Sequence, residues 1–345
     1  MSYDTARLEL ARQLIRELGV RPEQLHTAPA MPTMAAYIPK VIAAATAGQL
    51  ATYATYWKRA ATAFAARPLD DIRPSDILAL QRHTTRNARQ RRHDRAGRYA
   101  GESYLRAMRA IYRLAMADGL IGLPDNPTIM IPLPRRLPST RRALSGTELT
   151  AIHQVVLTGG HDVPLDSLLL RLHSETACRR GGALGLRLAD LDATTCAVHL
   201  REKAGTERWQ PITPTLACAL AVHAQDRGAT HPNDALLRHT DHSPLTARRY
   251  DALWSRVHGA LPWADALGVT AHWLRHTTLT WVERQFGYGI ARGYAGHTDT
   301  EGASTTTYIK AFLPEVATAL SVLTGEPHPS ALSPSVRASM RSRLD

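Results

Sequence analysis

Apolar positions in the first part of the chain recur at three- and four-residue intervals. In "LELARQLIREL" they fall at Leu8, Leu10, Ala11, Leu14, Ile15 and Leu18, the stripe of an amphipathic helix. A proline-containing break, "HTAPAMPT", follows, and then two Ala-rich segments of helical period, "MAAYIPKVIAAATAG" and "LATYATYWKRAATAFAA". Pro74-Ser75-Asp76 opens another helix. "GESYLRAMRAIYRLAMADGLI" is strongly amphipathic and is ended by Gly119. Residues 122–142, "GLPDNPTIMIPLPRRLPSTRR", hold five prolines and read as an interdomain linker. Beyond it, Ser145 with Glu148 three residues later forms a capping box that starts a second unit. Around 186–213 the period changes: "TTCAVHLRE" and "ERWQPIT" read as strands, joined by a "KAGT" hairpin around Gly205. Helical periodicity then returns from about 214 to 325, and "GEPHPSALSPSVRASMRSRLD" is Pro- and Ser-rich before turning basic. No repeat of long period is present. The pattern predicts a mainly α chain. It has a helical extension (1–34), an all-α unit (35–122), a linker (123–142), a mostly helical unit with a small antiparallel sheet (143–325) and a tail (326–345).

Composition adds little to the fold and more to the partner. The 345 residues suit two domains, and no stretch approaches the ~18 uninterrupted apolar residues of a membrane span. The N-terminus carries acidic residues and no apolar signal core. Three widely spaced cysteines, Cys178, Cys196 and Cys218, form no CxxC, so free thiols and a cytoplasmic, nucleoid-associated protein are expected. The formal charge is +12 and the pI about 10.0; of 42 basic residues only four are lysine, Lys40, Lys58, Lys203 and Lys310. The forked guanidinium of arginine suits phosphate oxygens and hence a polyanion. A GC-rich genome favours arginine codons equally well. "RHTTRNARQRRHDRAGR" carries Arg82, Arg86, Arg89, Arg91, Arg92, Arg95 and Arg98 with almost no apolar residue. It reads either as a solvated loop or as a phosphate-contacting segment. Arg135, Arg136, Arg141 and Arg142 would let the linker follow a DNA backbone.

Four places in the second unit carry reactive side chains. Arg179 and Arg180 precede Gly181-Gly182, where small residues let a ligand approach the backbone. Lys203 sits at the hairpin. In "TAHWLRHTTLTWVERQFG", Thr270 is placed to cap a helix, and His272, Arg275 and His276 fall on neighbouring rows of one helix face. A zinc-protease reading of the two histidines would need Glu after the first, where Trp273 stands. In "AGHTDTEGASTTTYIKAFLPEV", His297 is followed eleven residues later by Tyr308. Singly these are weak signals. Together, two arginines, a lysine, histidines and a tyrosine suffice for phosphoryl transfer with neither metal nor cofactor. Arginines clamp the non-bridging oxygens, tyrosine attacks phosphorus, lysine protonates the leaving 5′ oxygen, and histidine takes the tyrosine proton.

At these residues the chain resembles the tyrosine recombinases of the phage integrase family. "TACRRGGALGLRLADLD" resembles the first arginine box, T-G-x-R-x-x-E-x-x-x-L-x-x-x-D-(I/L)-D, which puts the catalytic arginine at Arg179, not Arg180. "HWLRHTTLTW" resembles H-x-L-R-H-T, giving His272 and Arg275. "YAGHTDTEGASTTTY" resembles L-G-H followed by T-T-x-x-Y, giving His297 and the nucleophile Tyr308. Lys203 falls on the hairpin that carries the family's lysine. "RALSGTELTAI" resembles the opening of the catalytic domain. "PLDDIRPSDILAL" and "AIYRLAMADGLIGLPDNP" resemble the SAM-like core-binding domain. The match spans roughly residues 35–320 and is of the simple Xer/Cre-like type, without a separate arm-binding domain. Three positions depart from the pattern. Gly182 stands where Glu is usual, Ala177 replaces a common Gly, and Tyr308 comes eleven positions after His297 where nine is usual.

The resemblance implies a site-specific recombinase acting on duplex DNA through a 3′-phosphotyrosyl link and a Holliday junction, as a homotetramer. It leaves room for accessory DNA-bending or directionality proteins. It assigns transition-state stabilisation to Arg179 and Arg275, the general acid to Lys203, acid/base assistance to His272 and a phosphate hydrogen bond to His297. The apolar face of "PEVATALSVLTG" is expected to dock on a neighbouring protomer. Two alternatives share parts of this pattern: a type IB topoisomerase-like activity without synapsis, and a DNA-binding regulator with a decayed site.

Overall fold

Helix starts follow local capping. Thr33, Thr46, Ser145, Asp162 and Thr213 each accept a hydrogen bond from a free N–H of the helix they open. The computed structural model describes residues 3–19, 30–88, 98–134, 141–202, 205–296 and 312–333. The chain divides into two units, Met1–Leu137 and Pro138–Asp345.

The first unit is entirely helical among the described residues: α1 (Tyr3–Glu17), α2 (Met34–Ala43), α3 (Ala47–Ala63), a 3₁₀ turn (Leu69–Asp71), α4 (Pro74–Arg86) and α5 (Arg98–Ala117). Sequence periodicity carries α2 on to Gly48; instead the helix stops at Ala43, and a reciprocal Thr46–Gln49 capping box restarts the chain as α3. The core gathers Tyr37, Trp57, Leu69, Ile77, Met108, Ile111 and Tyr112. Two of its polar edges are paired. The Trp57 Nε1–H donates to the Ala107 carbonyl at 3.0 Å and the Tyr112 hydroxyl to the Leu69 carbonyl at 2.9 Å. Gly101 lets α4 and α5 touch, because a Cβ there would meet Thr85 Oγ1 at 2.2 Å. Arg82 and Arg86 are exposed one turn apart at the end of α4, and Arg98 opens α5. Arg89, Arg91, Arg92, Arg95, Arg135 and Arg136 lie outside the described residues.

The second unit is a helical body around a small sheet. Its elements are α6 (Gly146–Leu157), α7 (Val163–Thr176), α8 (Arg180–Leu184), β1 (Leu191–Asp192), β2 (Ala197–Arg201), β3 (Glu207–Pro211), α9 (Pro214–Asp226), α10 (Ala247–Ala260), α11 (Pro262–Leu267), α12 (Ala271–Phe286), α13 (Tyr288–Ala295) and α14 (Leu313–Thr324). The expected hairpin forms as β2–β3, and β1, two residues long, adds an unanticipated third antiparallel strand. A two-residue strand shows no periodicity to detect. Across the hairpin Val198 faces Gln210 and Leu200 faces Arg208, so these four share the inner face. Thr270 occupies the N-cap position of α12 without a side-chain cap bond, contrary to the sequence expectation; its carbonyl instead accepts from the Trp273 N–H. The fold is therefore mainly α with a small antiparallel sheet. None of the described helices is long and apolar enough to cross a membrane.

Helix α14 departs from expectation. Val316, Ala319 and Leu320 pack with Ala177, Val282, Ala291 and Tyr294 of the same chain. The apolar face assigned to a neighbouring protomer is thus occupied at home. The segment after α14 is tied down as well. Glu326 accepts from Thr215 N–H at 2.8 Å, the His328 ring pairs with the Cys196 carbonyl at 2.9 Å, and Leu332 N–H donates to Thr318 Oγ1 at 2.8 Å.

Asp166 on α7 is fully buried and receives Arg249 Nε and Arg256 Nη2, each at 2.7 Å. Removing one member of a buried ion network leaves the others uncompensated. Asp166→Ala is expected to destabilise the second unit by about 3 kcal/mol or more, read as a lowered urea midpoint at unchanged slope. A loss under about 1 kcal/mol would mean the two arginines find other partners.

Candidate active site

The site is assembled where α7 ends. Ala177 takes a left-handed conformation, φ +49°, and terminates α7; Cys178 and Arg179 follow, with Arg179 extended. A left-handed alanine costs roughly 1–2 kcal/mol, which accounts for the glycine common here in the resembled box. The Ala177 methyl is fully buried against α12, α13 and α14, and a buried methyl contributes about 0.8 kcal/mol in the opposite sense. The second term offsets part of the first, which leaves alanine a small net cost here.

Arg179 and Arg180 are distinguished by their surroundings. Arg180 reaches outward, 3.7 Å from Asp251, with half of its side chain exposed. Arg179 turns to Glu202, the residue after β2. The Arg179 N–H donates to Glu202 Oε1 at 2.5 Å and Arg179 Nη1 to Oε2 at 2.8 Å. The Glu202 side chain has no exposed surface. Arg208, on the inner face of β3, donates through Nη1 to the same Oε2 at 2.7 Å and through Nε to Gln210 Oε1 at 3.1 Å. Arg275 Nη1 stands 3.9 Å from that oxygen. Burial would raise the Glu202 pKa, but the Arg208 charge, the Arg179 N–H and Arg275 together hold it below the usual carboxylate range. Glu202 and Arg208 are absent from the sequence-based list. The missing acid at Gly182 was the signal that could have prompted a search for a carboxylate elsewhere.

Arg275 lies on the buried side of α12. Its guanidinium donates to the Ala177 carbonyl and, at 2.8 Å, to the Ala295 carbonyl. One side chain therefore ties the end of α7 to the end of α13. Burial, and next the Arg179 charge, push its pKa down to about 10, so it remains protonated at neutral pH. Gly296 caps α13 at φ +63°, and a Cβ there would lie 2.5 Å from Arg208 Nη1. Only glycine allows this close approach without strain.

His272, one helical turn before Arg275, is exposed. With Arg179 it lines a cavity of about 730 Å³ that Tyr250, Trp254 and Thr270 help to enclose. Partial burial of the ring, and then the charges of Arg141, Arg275, His276 and Arg179, lower its pKa. The imidazole is thus neutral at neutral pH and can accept a proton. Arg142, expected along a DNA backbone, is engaged with Glu148 at the start of α6, through Nη1 at 2.7 Å and Nη2 at 2.5 Å. Tyr294 is fully buried, and its hydroxyl donates to the Glu175 carbonyl. Burial raises its pKa well above the ordinary phenol value. The structure thus brings Arg179, Arg275 and His272 together. Lys203, His297 and Tyr308 lie outside the described residues.

Comparison with known proteins identifies the family. Residues 142–312 match the model of the phage integrase family. The tyrosine recombinase XerC of Chlamydia trachomatis is 26% identical over 253 residues, covering 70% of this chain and 72% of that protein. The tyrosine recombinase XerD of Mycobacterium tuberculosis is 31% identical over 190 residues, covering 50% of this chain and 58% of its own. In fold, a lambda integrase tetramer solved on a Holliday junction superposes with a TM-score of 0.60 at 17% identity, over 86% of this chain and 88% of that one.

The class is that of a site-specific recombinase enzyme, working by a tyrosine mechanism. The chain belongs to the phage integrase family of tyrosine recombinases.

Because the folded chain disfavours protonation of His272, this residue costs stability only as the pH falls below the ordinary imidazole value of about 6.5. In an NMR titration of the DNA-free protein, its ring is expected to titrate below that value, and Arg141→Ala is expected to move the midpoint upward. A midpoint at or above 6.5 in the unaltered protein would contradict the electrostatic picture.

Proposed function

We propose that this chain cuts and rejoins duplex DNA at a specific site, with Tyr308 as the nucleophile. The observation that carries the reading is the convergence of Arg179 and Arg275 on Glu202 beside His272, with Arg179 and His272 lining one cavity that a phosphodiester would enter. Tyr308 Oη attacks the scissile phosphorus as the bond to the 5′ oxygen breaks. The tyrosine proton passes to His272, and Lys203 protonates the departing 5′ oxygen. His297 hydrogen-bonds a non-bridging oxygen. Arg179 and Arg275 offset the charge that builds on those oxygens in the transition state. The phosphotyrosyl ester keeps the energy of the broken bond, so a 5′-hydroxyl from another strand closes the reaction by the reverse route.

We assign Arg82, Arg86 and Arg98 to contacts along a phosphate backbone, with Arg89, Arg91, Arg92, Arg95, Arg135, Arg136 and Arg141 of the same basic segments; the exposure of Arg82 and Arg86 at the end of α4 supports this. The lambda integrase tetramer on a Holliday junction supports a tetrameric synapse in which strands are exchanged in pairs. With a DNA substrate, we assign the protein to the cytoplasm and the nucleoid.

The test is incubation with a nicked suicide duplex carrying the recombination site, followed by denaturing electrophoresis. The unaltered chain should yield a covalent DNA–protein adduct, and Tyr308→Phe none. Tyr294→Phe should still form it, since that hydroxyl is committed to the core. Arg179→Ala and Arg275→Ala should slow adduct formation roughly 10²–10³-fold. An adduct that persists in Tyr308→Phe would overturn the assignment of the nucleophile.

A further inference from the structure

Residue 182 and residue 202 confront each other across the arginine cluster. Gly182 is buried inside α8, and a Cβ on it would stand 3.0 Å from Glu202 Cγ and 3.2 Å from Glu202 Oε1. Its backbone is helical and not left-handed, so glycine is not required there for conformation. What crowds a side chain there is Glu202, which would have to give way by a few tenths of an ångström even for a methyl. That carboxylate, with no exposed surface, accepts from the Arg179 N–H, Arg179 Nη1 and Arg208 Nη1, and lies 3.9 Å from Arg275. A carboxylate mounted on position 182 would enter the same volume from the opposite wall.

We propose that Glu202 is the positioning residue of the phosphate site: from the end of β2 it fixes Arg179, Arg208 and Arg275 against one another, supplying the acid for which position 182 carries no side chain. The two positions then form an exchangeable pair, one glycine and one glutamate, in which the acid can stand on either wall. This rests on the reading of Arg179 as a phosphate ligand. Glu202 touches no reacting atom in that scheme. It acts by setting where the guanidinium nitrogens stand, and a displacement of about 1 Å can cost on the order of 10²-fold in rate. Its effect should therefore fall on the chemical step and not on the grip of the protein on DNA. Arg208 acts likewise, held between Glu202, Gln210 and the Thr176 carbonyl.

The experiment measures three quantities on the full chain: the single-turnover rate of adduct formation with the nicked duplex, the Kd for the same duplex with its scissile phosphate intact, and the thermal midpoint. Glu202→Gln, close to isosteric, should leave Kd within about threefold while slowing adduct formation by roughly 10–100-fold. Glu202→Gly should slow it at least as much. The exchange variant Gly182→Glu with Glu202→Gly should regain a rate within about tenfold of the unaltered chain. A Glu202→Gln chain that cleaves at full rate overturns the proposal. So does an exchange variant that is folded and no faster than Glu202→Gly alone. Should Glu202→Gly fail to fold, the exchange variant is compared with Glu202→Gln by the same criterion. Arg179→Ala separates the two levels. If it cleaves normally, the phosphate-ligand reading itself falls; if it is inactive and the exchange variant gives no rescue, only the pairing falls.

Discussion

Three arginines meet around one buried carboxylate, and the catalytic unit is organised to make that meeting possible. Like charges about 4 Å apart at an effective dielectric of about 20 repel by roughly 4 kcal/mol. Without an acid among them, Arg179, Arg208 and Arg275 would have no reason to share a pocket. Glu202 arrives from the hairpin, Arg179 from the end of α7, Arg275 from α12 and Arg208 from β3. The carboxylate balances part of the positive charge and leaves a surplus that favours an anion. The left-handed turn at Ala177, the glycine at 182 and the glycine at 296 are local consequences of packing this much charge into little space.

Much of the frame was legible in the sequence because it is written in local rules. The Ser145–Glu148 box forms as its spacing requires, the hairpin pairs about Gly205, and the helical stripes become helices with ends shifted by a few residues. The motif points to Arg179 and not Arg180, and the structure supplies a physical contrast: one guanidinium is fastened to a buried acid, the other extends to an exposed aspartate. Glu202 and Arg208 were not legible. In sequence they sit in "REKAGTER", where alternating charges read as a solvated turn, and only strand register turns Arg208 inward. The apolar face of α14 was recognised but attributed to the wrong surface, because amphipathicity states that a face is covered and not by what.

Burial also separates residues that composition treats as equal. Tyr294 is held in the core with its hydroxyl satisfied by a carbonyl, so its phenol is both inaccessible and hard to ionise. Its part is in the scaffold, since it packs the helix whose last carbonyl receives Arg275. A core residue cannot present its oxygen to DNA, which is why the nucleophile is proposed at a different tyrosine.

The strap formed by residues 326–333 has a practical corollary. Through Glu326, His328 and Leu332 it clips α14 to the start of α9, to the turn before β2 and back to α14 itself. An affinity tag, fluorescent fusion or terminal deletion that reaches back past Ser333 therefore intrudes on the catalytic unit and tests its folding. Any chain boundary meant to probe contacts between subunits has to be drawn beyond that point.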